Sequence, residues 1–230
     1  MTKKLKRITE PFVLLCEGQH DSQFFEWLLR SDTSLPTFTI SSVSYMLGGV
    51  SQGGNSRFTE VLDELVGIPG FEHVQKVLIV SDNDLVPQDS FDSIVAQINA
   101  TAEIIGPPAR RYTAPAEPKK KAGNNPSLCV YMLPDTGVVG NFDAMCWSAA
   151  EAKRPDIAKC VDAFAACTKA DLWPITKASK MKLRSLLSSS NKDNPYISPA
   201  YVWSQGTDYV PLDHPIFSDI IAFLRGFPAM

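Results

Sequence analysis

The sequence predicts an α/β fold: a parallel sheet of about four strands flanked by helices, with a mainly helical C-terminal extension. Three observations predict it. Apolar runs at 12–16, 77–80 and 128–133 are short, continuous and bounded by acids or turn residues, the mark of strands buried on both faces. Between them stand segments with apolar residues at helical spacing, so the chain reads strand, helix, strand, helix, strand, helix, as crossover connections require. From Glu151 onward the periodicity is helical. A chain of 230 residues suits one domain or one with an appendage. We divide it into an α/β core over 1–150 and an extension over 151–230 that packs on the core.

The first strand, Phe12-Val-Leu-Leu-Cys16, runs into Glu17, and Gly18 breaks it. Asp21 opens a helix on which Phe24, Phe25, Leu28 and Leu29 recur at helical spacing. Glu17 thus stands at the carboxyl end of a strand and Asp21 at the amino end of the next helix. In open α/β sheets that edge is where ligands bind. Residues 37–43, with Phe38, Ile40 and Val43, read as a second strand. Gly48-Gly49 and Gly53-Gly54 then lead to a helix capped by Asn55 or Ser56, with Phe58, Val61, Leu62, Leu65 and Val66 on one face. Such a loop could cradle an anion, but it lacks the Gly-Lys-Ser/Thr of a nucleotide-binding loop and reads as a plain connection. The third strand, beginning at Lys76, ends in Asp82-Asn83-Asp84. Asp89 caps a helix with Phe91, Ile94, Val95, Ile98 and Ile105 in phase.

Segment 106–126 breaks the alternation. It holds five prolines and the basic residues Arg110, Arg111, Lys119, Lys120 and Lys121, and reads as an exposed, mobile loop. It is either a solvated insertion or a nucleic-acid contact, since it leaves the sheet edge that carries the acids and would offset their repulsion of phosphate. A fourth strand follows at 128–133, then a turn at Asp135, then a helix starting at Asn141. In the extension, Pro155 opens a helix with Val161, Phe164 and Ala165 on one face; Cys160 and Cys167 on it suit packing better than redox chemistry. Residues 177–190 form a basic amphipathic helix, 197–203 a short strand, and 215–227 a closing helix.

The bulk numbers exclude several classes. A net charge of −3 argues against wholesale coating of nucleic acid, leaving room for a local basic patch. Five scattered cysteines without a C-x-x-C pair suit a reducing cytosol, and three distant histidines give no zinc spacing. The basic start is followed by too short an apolar run for a secretory signal, and no stretch approaches a membrane span. The expected location is therefore cytoplasmic, with no membrane partner.

If the first and third strands are parallel neighbours, Glu17, Asp21, Asp82 and Asp84 converge on one edge. Several carboxylates cannot share a partly buried site as bare anions, so protons or a cation must sit among them. Hard oxygen ligands beside a phosphate position describe a Mg²⁺ (or Mn²⁺) site. Asp21 alone could be only a cap, and Asp-Asn-Asp only a turn. For Glu17, after five apolar residues, the ordinary explanation is weakest, since a strand that buried rarely ends in an acid without a partner.

Glu17 and the Asp82-Asn83-Asp84 triplet, each on a strand end, resemble the Toprim domain shared by topoisomerases and bacterial primases. The spacing from Glu17 to Asp21 is more similar to the Toprim part of overcoming-lysogeny-defect nucleases and to small stand-alone Toprim-like proteins. The resemblance covers about 12–147 and continues more weakly to the C-terminus. It implies a Toprim-like core and Mg²⁺-dependent cleavage of nucleic acid, DNA first, alone or with a separate ATPase, because the chain has no Walker A lysine. It implies Glu17 as metal ligand or general acid/base, Asp82 and Asp84 as metal ligands, and Asp21 as an extension toward a second ion. A further ligand is expected on the helix after the fourth strand, where Asp143 replaces the family's Glu and Asp135 competes. A lysine facing the metals is expected on a late helix: Lys180 matches best, Lys182 second. Strand passage and priming are rejected, since neither a nucleophilic-tyrosine domain nor template-binding modules fit. The alternative is a Toprim-like binding module without turnover. Nucleotide-sugar transferase and phosphatase readings of Asp-x-Asp fit the order and length less well.

Overall fold

The computed structural model describes residues 5–47, 57–102, 111–206 and 208–230. Among them five strands form one sheet: β1 (Phe12–Cys16), β2 (Thr39–Ser42), β3 (Lys76–Asp82), β4 (Lys121–Ala122) and β5 (Ser127–Leu133). Their spatial order is β2-β1-β3-β5-β4, all parallel except β4, which runs antiparallel to β5. Cys16 pairs with Val80, and Asp82 with Leu133. The helices are α1 (Gln19–Ser31), α2 (Val43–Met46), α3 (Phe58–Leu65), α4 (Pro87–Asn99), α5 (Phe142–Lys153), α6 (Pro155–Thr168), α7 (Ile175–Ser190) and α8 (Ser218–Gly226).

The continuous apolar strands are explained by burial on both faces. Successive side chains alternate across a strand. Val13, Leu15, Val77, Ile79, Val130 and Met132 face a core shared with α3 and α4. Leu14, Cys16, Leu78, Val80, Tyr131 and Leu133 face the opposite core, shared with α1, α5, α7 and α8. That second core joins the first strand to Leu183, Leu187, Phe217 and Phe227, so the C-terminal helices complete it. From β1 the chain steps outward to β2, then returns past β1 to β3 and β5. The strand order reverses at β1/β3, and a crevice opens at the carboxyl ends of those two strands.

Several sequence expectations change. The sheet gains β4, and residues 111–126 are a strap rather than a free loop. Tyr112 is buried and its hydroxyl donates to the Leu62 carbonyl at 3.1 Å. The Lys119 N–H donates to Val130 at 2.7 Å. The outer edge of β5 would otherwise present unpaired backbone groups, and the strap covers it. Residues 197–203 hold no strand but a 3₁₀ turn at Pro199–Tyr201, since proline lacks the N–H a ladder needs. Val43 leaves the second strand for α2, because the Ser42 hydroxyl caps that helix by accepting from the Tyr45 N–H at 3.3 Å.

Helix boundaries shift too. Asp21 lies in the third position of α1, not at its start. Asp89 sits in the first turn of α4 rather than at its cap, because Pro87 is pre-set for the first helical position. On α6, Val161 and Ala165 are buried as expected, whereas Phe164 is 51% exposed and Cys160 and Cys167 are exposed, so the cysteines do not pack in the core. The double-glycine loop, Asn55, Ser56, Ile105 and Arg110 lie outside the described residues. Among the described residues no helix is long and apolar enough to cross a membrane.

Candidate functional site

The crevice at the β1/β3 switch point is a cleft of about 700 Å³. Glu17, Asp21, Asp82, Asp84 and Asp143 line it, together with His20, Lys180 and Arg184. Its far wall is the stretch from Ser198 to Ala200.

Backbone geometry delivers each acid. Glu17 follows the last residue of β1 and lies beside the end of β3. There Glu17 Oε1 accepts from the Ser81 hydroxyl and, at 3.0 Å, from the Asp82 N–H. Asp82 ends β3, and its Oδ1 accepts from the Phe142 N–H at 2.8 Å, tying the start of α5 to the sheet. Asp21 Oδ2 accepts from the Gly18 N–H at 3.0 Å. Asp84 holds a left-handed backbone, φ 52°, which aspartate tolerates. It is bridged to Gly140, whose φ of 142° only glycine adopts readily. Asp143 sits between His20 and Lys180, with Oδ1 3.4 Å from His20 Nδ1 and Oδ2 3.6 Å from Lys180 Nζ.

Electrostatics divides these acids. Burial pushes Glu17 up to about 7, against the hydrogen bonds from Ser81 and Asp82 that favour its anion; Asp21 and Asp84 add to the rise. Burial also raises Asp82 well above the usual carboxylate range, with Glu17 and Asp21 contributing. Asp21 rises through burial, partly offset by His20 and the Gly18 hydrogen bond. Asp143 goes the other way. Burial would raise it, but the His20 hydrogen bond and the charges of His20, Lys180 and Arg184 outweigh that and hold it low.

Glu17, Asp21 and Asp82 thus share a pattern. One oxygen of each is fixed by a protein donor; the other receives no hydrogen bond from the described residues. Fixing one oxygen orients the other, as donors around metal-ligating carboxylates do. The all-oxygen donor set suits a hard divalent cation, which would also offset the cost of these buried anions. The side chains ring the cleft without closing on one point: among the described residues no group of three or more His, Cys, Asp or Glu is placed to hold an ion.

The structure therefore brings Glu17, Asp21, Asp82, Asp84, Asp143 and Lys180 to one cleft and separates the rest. Lys182 pairs with Asp162 at 2.8 Å and lies over the Trp147 ring, away from the acids. Asp135 is held by Lys119 and by the Thr136 N–H at 2.6 Å, outside the cleft. None of the described basic residues of the strap lines the cleft: Lys119 stays near the carboxyl end of β5, paired with Asp135, and the others lie farther away. Arg111 lies over Phe71, and Lys121 reaches the Met230 carbonyl at 3.2 Å beside Lys76, both at the amino end of the sheet. Lys120 is exposed and does not line the cleft. The physical reason is that β4 runs antiparallel to β5 and carries the segment back from the acidic edge. The basic groups at the cleft come from α7 instead.

Two lining residues were not singled out from the sequence. His20 stands between Gln19 and Asp21 in the first turn of α1, and its ring stacks on Trp203 with centroids 5.6 Å apart. Its place in the Glu17-Gly-Gln-His-Asp21 run was the available signal. Arg184 lies one turn after Lys180 on the same helix, so i, i+4 spacing could have found it.

The family profile described as a protein of unknown function (DUF3226) matches residues 11–227. Neither curated proteins nor solved structures give a match.

Proposed function

The chain belongs to that family of unknown function, and within it we propose a metal-dependent enzyme that cleaves phosphodiester bonds in nucleic acid. One observation carries the reading. Three partly buried carboxylates line the cleft at the β1/β3 switch point, each with one oxygen anchored and the other receiving no hydrogen bond from the described residues. The Toprim-like order of Glu17 before Asp82 and Asp84 supports the same assignment.

Glu17, Asp21 and Asp82, with Asp84 beside them, would hold Mg²⁺ or Mn²⁺. Such an ion, when bound, lowers the pKa of water and neutralises charge on phosphoryl oxygens. Ser81 and the Asp82 N–H keep Glu17 turned into the cleft. Lys180 and Arg184 supply positive charge where a phosphate would enter. Asp143, already engaged by His20 and Lys180, serves here as the group that positions those two side chains rather than as a ligand.

A second reading is a binding module without turnover, acting with a partner such as a separate ATPase. It is favoured by the absence, among the described residues, of three side chains placed on one ion.

Nicking of supercoiled plasmid in Mg²⁺ and Mn²⁺ tests the proposal. We expect metal-dependent nicking that is lost in Glu17→Gln and in Asp82→Asn, together with Mn²⁺ binding. Mn²⁺ binding by the wild type without nicking would favour the binding module. No metal binding at all would remove the proposal.

A further inference from the structure

The exposed face of α7 carries positive charge past the edge of the cleft. Lys177, Lys180 and Arg184 are all exposed and follow one another at i, i+3 and i+7, which places them in one stripe. The stripe spans about 10 Å of helix. Lys180 and Arg184 border the cleft, and Lys177 extends the charge beyond it. Lys177 has no ion-pair partner among the described residues. A basic stripe on a chain of net charge −3 is a local feature, not a reflection of composition.

Exposed aromatic residues precede and follow α7 in the chain. Trp173, just before α7, is 49% exposed, whereas Trp147 and Trp203 are buried. Farther along the chain, Tyr201 is 46% exposed and Tyr196 93%. The Tyr201 hydroxyl accepts from Gln19 Nε2 at 3.3 Å, and Gln19 lines the cleft, so this ring is held at its rim. A ring at the cleft rim and another next to the first turn of the helix that bears the cations match the two needs of an unpaired strand: bases to be stacked and phosphates to be neutralised. A duplex hides its base faces. The carboxylates also lie recessed between α7 and the wall at Ser198–Ala200, so the phosphate that reacts has to enter the cleft.

We propose that the cleft takes single-stranded nucleic acid, which runs along Lys177, Lys180 and Arg184 and stacks bases on Trp173 and Tyr201. The proposal rests on the phosphodiester reading of the cleft and names its substrate class. The strand's phosphates meet the three cations, and one of them is carried past Lys180 to the acids.

The test is binding of short labelled oligonucleotides to the full chain in Ca²⁺, as single-stranded DNA, single-stranded RNA and duplex DNA. Lys177→Ala, Trp173→Ala and Tyr201→Ala are measured beside the wild type, with circular dichroism to confirm folding, and with plasmid nicking and cutting of the same single strands in Mg²⁺ and Mn²⁺ in parallel. We expect either single strand to bind more tightly than duplex, and each aromatic variant to weaken it roughly tenfold. Lys177→Ala should lower the slope of log affinity against log salt by about 0.7. The better of the two single strands identifies the sugar. Duplex bound as tightly as single strand, or variants that bind like the wild type, would overturn the track. If the wild type nicks plasmid while those variants bind and cut normally, the track falls and the cleavage reading stands. If the strand binds through these residues but no metal supports cutting, the track stands and the cleavage reading falls.

Discussion

Glu17 concentrates the physics of this protein in one side chain. It is placed by the end of β1, oriented by Ser81 and the Asp82 N–H, and raised to about 7 chiefly by burial. A carboxyl raised above its usual 4.5 binds its proton more tightly in the folded state than in the unfolded. Its contribution to stability is complete below pH 4.5 and is lost as pH rises through about 7. Asp21 and Asp82 are raised as well and act in the same direction. The metal-free chain should therefore lose thermal stability across this window, and Glu17→Gln should flatten the loss. Added Mg²⁺ should restore stability at the alkaline end, since a cation replaces the missing protons. Melting curves from pH 4 to 8, in EDTA and in Mg²⁺, check this; a melting temperature constant over the window would contradict the buried-carboxylate account.

At the scale of elements, Asn141 is the joint between α5 and α7. It is fully buried, and its side-chain oxygen caps α5 by accepting from the Ala144 N–H at 2.9 Å. The amide nitrogen donates to the Thr176 carbonyl at 3.2 Å, and the Ser179 hydroxyl, whose proton goes to the Ile175 carbonyl at 2.7 Å, lies 3.3 Å from the same oxygen. These bonds fix α7, and with it Lys180, against the helix that bears Asp143. Losing a cap costs about 1 kcal/mol, and leaving buried partners unpaired costs more. Asn141→Ala should destabilise the chain by about 2 kcal/mol in urea unfolding, and Asn141→Asp, which keeps the cap, by less. The cap itself was legible in the sequence, as an asparagine before an apolar helical segment. Its second role was not, because Thr176 and Ser179 are 35 and 38 residues away.

For the molecule as a whole, the sheet is covered on both faces by helices from distant parts of the chain. The face bearing Leu14, Leu78 and Tyr131 is closed by Leu183, Leu187, Phe217, Leu224 and Phe227. A fragment of residues 1–150 would expose that face and would end inside α5. We expect the fragment to bind a hydrophobic dye and to lack a cooperative unfolding transition, while the full chain unfolds in one step. A cooperative, dye-negative fragment would show that the helices after α5 are dispensable to the core.

The three long strands β1, β3 and β5, the crossover helices and the acids at the strand ends were legible from the chain alone, because these depend on local spacing. Apolar runs mark buried strands wherever they pair, and Glu17, Asp82 and Asp84 follow such runs directly. Only the tertiary structure decided strand order, and so which acids meet. Reversal at β1/β3 places Glu17 beside Asp82, and the turn into α5 places Asp143 against His20 and Lys180. It also kept the basic strap out of the cleft, since the pairing of β4 with β5 depends on the free edge of β5 and not on the charge of the segment that covers it. Charge and polarity along a chain state what a segment can bind; where it stands is set by the apolar surface and backbone edges it must cover.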